Sequence, residues 1–120
     1  MEEEVFEIKI RKAKKSDVDK IKEIFMHYEA GRKDVASKIA NVYLAMCNNE
    51  IVGLRIINKV PKGTFEELIV SKNFQGMKVG KGMVMKAAED KKIKGDYSGF
   101  SFHKKFGVGK TEFAVFGRTL

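Results

Sequence analysis

Residues 66–90 read EELIVSKNFQGMKVGKGMVMKAAED, a stretch in which strand, turn and helix signals follow one another without a gap. Leu68, Ile69 and Val70 form an apolar run that ends in the polar turn Ser71, Lys72 and Asn73. Gln75, Gly76, Gly80 and Gly82 come next, and Val79, Met83, Val84, Ala87 and Ala88 then recur at spacings that share one face of an α-helix. A strand that feeds a glycine-bearing turn into a helix leaves backbone N–H groups free at the positive end of the helix dipole. The spacing therefore predicts a phosphate-friendly helix start at this point.

Working toward the N-terminus, Thr64 to Val70 is a strand, led by the turn Pro61, Lys62 and Gly63. Before it lie two apolar runs, NVYLAMC (41–47) and EIVGLRII (50–57), separated by Asn48 and Asn49, which predicts a β-hairpin. Phe6, Ile8 and Ile10 alternate with Val5, Glu7, Lys9 and Arg11, which reads as a first strand over residues 5–11. Ser16 is placed to cap a helix, with Asp19 three residues on. Val18, Ile21, Ile24, Phe25 and Tyr28 mark that helix's apolar face up to a stop near Gly31. A short helical piece at residues 34–39 is a further expectation.

Toward the C-terminus, the helix of residues 79 to 92 is followed by KGDYSGFS (94–101), which has no apolar run. Phe102 to Phe106 has the spacing of one or two helical turns, and KTEFAVF (110–116) reads as a closing strand. The expected whole is one α+β domain over residues 1–120, with helices packed on a mostly antiparallel sheet.

Composition agrees with a folded chain: 120 residues, 43% hydrophobic and 33% charged. No apolar run approaches the roughly 20 residues of a membrane span, and Glu2, Glu3 and Glu4 argue against a targeting segment. The single cysteine, Cys47, lies in an apolar strand and reads as core, and one cysteine suits a reducing compartment. A cytoplasmic location is expected. The net charge is +8, and residues 71–120 hold 11 Lys and Arg against 4 Asp and Glu, so the second half carries +7 of it. Such an excess suits an anionic partner, a phosphorylated cofactor or a nucleic acid; it equally suits a solvated lysine surface. Two distant histidines, His27 and His103, offer no metal-ligand set.

Four pieces of the chain resemble the GNAT superfamily of acetyl-CoA-dependent N-acetyltransferases: IRKAKKSDVDKIKEIF (10–25), VYLAMCNNEIVG (42–53), LIVSKNFQGMKVGKGMVMKAAED (68–90) and FHKKFGV (102–108). The family's Q/R-x-x-G-x-G/A signature falls on Gln75, Lys78 and Gly80, with Lys78 standing where glycine is usual. The resemblance implies an abbreviated GNAT-like fold. It places the coenzyme A diphosphate on Gln75, Gly76, Met77, Lys78, Val79, Gly80 and Lys81, and the pantetheine arm beside Leu68, Ile69 and Val70. A primary amine would then attack the thioester directly. Glu67, or its neighbour Glu66, is the expected general base. His103 stands where the family carries an acidic tyrosine, and Tyr97 is the substitute acid. The strand that normally follows the long helix, and whose splay opens the pantetheine cleft, has no good counterpart in residues 94–101. Two other expectations stand beside this one: a non-catalytic domain of that fold binding an acidic macromolecule such as nucleic acid, and a homodimer through a free edge on the last strand.

Overall fold

The computed structural model describes residues 7–28, 41–60, 63–91 and 97–120. Its elements in chain order are β1 (Lys9–Lys12), a 3-10 turn (Lys15–Asp17), α1 (Val18–Tyr28), β2 (Val42–Cys47), β3 (Glu50–Val60), β4 (Gly63–Ser71), a second 3-10 turn (Lys72–Phe74), α2 (Val79–Lys91), β5 (Ser101–Val108) and β6 (Thr111–Thr119). The expected strand start at residues 5–6, the helical piece at 34–39, the turn at Pro61 and Lys62 and the stretch 94–96 lie outside the described residues.

Each strand forms where its side chains can be shared between two faces. The β2–β3 hairpin closes as the Asn-Asn pair predicts, with Asn48 and Asn49 at φ 51° and 64°, the left-handed pair of a type I′ turn. Alternation then sorts the apolar residues. Val42, Leu44, Leu54, Ile56, Ile69, Phe113 and Val115 pack under Ile21, Ile24 and Phe25 of α1. Ala45, Cys47, Val52, Leu68 and Val70 pack under Val79, Met83 and Val84 of α2. The sheet is thus buried on both faces, one helix to each, and Cys47 belongs to the core as expected.

The start of α1 corrects the expected cap. Ser16 lies inside the 3-10 turn; Asp17 instead accepts the backbone N–H of Lys14 at 2.7 Å. The same carboxylate takes a bidentate fork from Arg11, at 2.8 and 2.9 Å, which ties β1 to the helix start. This fork holds the Asp17 carboxyl well below the usual range, at about 2.

The GNAT-like fold is contradicted. The strands run in the order β1-β2-β3-β4-β6-β5, and every neighbouring pair is antiparallel. Strands hold 49% of the described residues and helices 31%, whereas a GNAT fold has a mixed sheet flanked by helices. The decisive contact is β4 with β6: seven consecutive antiparallel pairs, from Phe65–Thr119 to Ser71–Phe113, close the sheet beside the strand from which the family's next strand would splay. An unbroken ladder leaves no slot between those strands for a pantetheine arm.

Two further expectations change with it. Residues 102–106 are strand, because each phenylalanine finds a cross-strand partner: Phe102 meets Phe116 edge-on at 5.7 Å, and Phe106 stacks on Phe113 at 5.3 Å. A bulge at His103 separates them, so residues four apart point to opposite faces. The last strand has no free edge. β6 lies between β4 and β5, and β5 is the outer strand at that side.

Candidate functional site

Where β4 ends, the chain turns through Lys72–Phe74 and is pulled back onto the strand. The Gln75 side-chain amide donates to the Val70 carbonyl at 3.2 Å, and the backbone N–H groups of Gln75 and Met77 donate to the Lys72 and Phe74 carbonyls, each at 3.3 Å. Gly76 (φ 81°) and Lys78 (φ 62°) are both left-handed. Lys78 pays an αL cost of about 1 kcal/mol that a glycine would avoid. That conformation sets its carbonyl to accept the first helical bond, from Gly82 N–H at 2.9 Å. The N–H groups of Val79, Gly80 and Lys81 precede that bond, so they have no acceptor inside the helix.

These amides border a pocket of about 230 Å³ lined by Val70, Phe74, Gln75, Gly76, Lys78, Val79, Gly80, Lys81, Tyr97 and Phe116. No carboxylate is among the lining residues, and two lysines are. The Tyr97 ring leans on the helix start: a Cβ at Gly80 would lie 3.0 Å from its hydroxyl, so only glycine leaves the ring its place. A helix start whose first turn, with two lysines, lines one cavity makes a setting for a diphosphate. The cavity is too small for a whole coenzyme A molecule, so such a ligand would seat one part there and lie across the surface with the rest.

Of the ten residues expected to bind the cofactor, Val70, Gln75, Gly76, Lys78, Val79, Gly80 and Lys81 line the pocket. Met77 is exposed in the turn beside them. Leu68 is buried under α2, and Ile69 points to the α1 face. Gln75 serves the turn itself through its bond to Val70.

The four catalytic candidates separate. Tyr97, 46% exposed, lies at the pocket. Glu66 lies on the same face of the sheet but is fully buried, gripped by Arg55 Nε and by Arg118 Nε at 2.8 Å. It cannot receive an ammonium proton from a substrate it never meets. Glu67 follows Ile69 in alternation and so belongs to the α1 face, where it is 3% exposed. His103 is on that face too, with its ring edge-on to Phe65 at 5.5 Å and above Gly117. The sheet therefore stands between Tyr97 and the pair Glu67 and His103.

The Arg55–Glu66–Arg118 triad was not anticipated. Its signal was present in EIVGLRII, where an arginine sits within an apolar run: a charge there demands a buried partner. Burial pushes the Arg55 guanidinium down, against the attraction of Glu66. Burial likewise raises the Tyr43 hydroxyl, with the charge of Asp90 adding to it. Phe116 and Phe74 were also missed as pocket residues, since alternation alone does not say which strand end a turn will shelter.

Among the described residues, no group of His, Cys, Asp and Glu could hold a metal ion, and no helix is long and apolar enough to cross a membrane. No family profile, curated protein or solved structure matches the chain.

Proposed function

We propose that the chain binds acetyl-CoA by its diphosphate at the start of α2 and transfers the acetyl group to a primary amine. The observation that carries this reading is the pocket at the start of α2, whose lining includes Lys78, Val79, Gly80 and Lys81 and no carboxylate. The likeness of residues 75–80 to a coenzyme A-binding turn supports the choice of ligand. Acetyl-CoA would supply an acyl group already activated as a thioester.

The chain's part is mostly to hold and orient. Val70 and Phe116 give the pocket an apolar floor, and Tyr97 stands at its rim. Solvent supplies the proton that the departing thiolate needs as the C–S bond breaks and the N–C bond forms. Water at the open mouth takes the proton lost by the amine. Glu66 is assigned a structural role.

Calorimetry with acetyl-CoA tests the reading. The wild-type chain should bind, and Lys81→Glu should bind at least tenfold more weakly. An acid in the first turn favours the helix dipole by about 0.3–1 kcal/mol, so the same variant should melt no lower than wild type. Tyr97→Phe keeps the ring and should keep the affinity. Absence of binding at millimolar acetyl-CoA would end the proposal.

A further inference from the structure

The pocket does not stop at the phosphate-friendly turn. Phe116 lines it and carries Phe102 on its other side, ring centroids 5.7 Å apart, and Phe102 is 54% exposed. Tyr97, on the rim, tilts against Phe100 at 5.5 Å. Phe100 is in turn covered by the Arg118 guanidinium, 4.6 Å from its ring centroid, and Arg118 is fixed by the buried Glu66. The buried triad therefore supports one end of an aromatic ledge, and β6 supports the other.

Single exposed apolar residues are ordinary on a protein surface. Here the two aromatic members of the strongly exposed apolar set, Tyr97 and Phe102, flank one basic pocket. The bulge at His103 is what brings Phe102 to this face, since without it residues 102 and 106 would share the α1 side. A planar base can stack on such rings while its phosphates reach the amides.

We infer that the ledge of Tyr97, Phe102 and Phe116 seats the adenine of the nucleotide end, so the site selects an adenosine diphosphate moiety over a bare diphosphate. The inference rests on the proposed function for the anion at the α2 start. It assigns the ledge to the base and leaves the pantetheine arm outside it.

The experiment is a calorimetric titration of the full chain with ADP, with pyrophosphate and with pantetheine 4′-phosphate, for wild type, Phe102→Ser and Phe102→Trp. Phe102 is exposed on an outer strand, and circular dichroism checks that the variants are folded. ADP should bind wild type at least tenfold more tightly than pyrophosphate. Phe102→Ser should lose about tenfold for ADP and nothing for pyrophosphate, and Phe102→Trp should restore ADP binding. Equal affinities for ADP and pyrophosphate, or an unchanged ADP affinity in Phe102→Ser, would overturn the inference. So would a loss that falls on pantetheine 4′-phosphate instead. Acetyl-CoA binding that survives alongside any of these leaves the proposed function standing; failure of acetyl-CoA and of all three probes removes both.

Discussion

Glu66 is closed from solvent between two guanidinium groups, and its removal would strip the buried Arg55 and Arg118 of the carboxylate they share. Breaking a buried pair from one side costs about 3–5 kcal/mol, whereas apolar replacement of all its members costs far less. Glu66→Ala should therefore lower the urea-unfolding free energy by about that amount, and adding Arg55→Met and Arg118→Met should recover most of it. Lys78 invites the opposite change. Lys78→Gly should raise stability by about 0.5–1 kcal/mol in thermal melts, because the left-handed backbone no longer carries a Cβ, while acetyl-CoA affinity falls with the lost ammonium. Asp17 gives a pH dependence of known sign. Its folded value, about 2, lies below the unfolded 3.8, so its contribution is complete above pH 4 and disappears as pH falls through about 2. Asp17→Asn should cost about 1 kcal/mol at neutral pH and almost nothing at pH 2, as measured by urea unfolding.

β5 shows how far the reading of an element depends on its neighbours. Phe102 and Phe106 are four apart, the spacing of a helix face, and only the partners Phe116 and Phe113 on β6, joined through a bulge, make them strand residues. That information is not local. The β2–β3 hairpin was legible because Asn48 and Asn49 themselves adopt the conformation the turn needs. The turn of residues 75–81 was legible for the same reason, since its glycines and its position between strand and helix are written in one stretch. The pairing of β4 with β6 was not: Leu68 to Val70 presents the same alternation to a parallel neighbour as to an antiparallel one. At this scale hydrogen exchange is the check. Amides of β6, paired on both sides, should exchange at least tenfold more slowly than those of β5, and equal protection would contradict the strand order.

At the scale of the molecule, the described residues form a six-stranded antiparallel sheet with one helix on each face, which confines their open chemistry to its ends, because both broad faces serve as core. The ends of strands and the starts of helices are where unpaired amides remain, and the α2 start is where they meet a cavity and lysines. The same layout explains why the expected catalytic carboxylates cannot work together: alternation sends Glu66 and Glu67 to opposite faces, each into a buried setting. Of the lysines in the second half, Lys78 and Lys81 line the pocket at the start of α2, while Lys104 and Lys105 lie on the outer strand. Amide chemical shifts of the labelled chain during titration with acetyl-CoA test this account most directly. The account predicts saturable shifts concentrated at Gly76 to Gly82 and Tyr97, with Glu67 and His103 unmoved; shifts centred on the α1 face, or none at millimolar ligand, would contradict it.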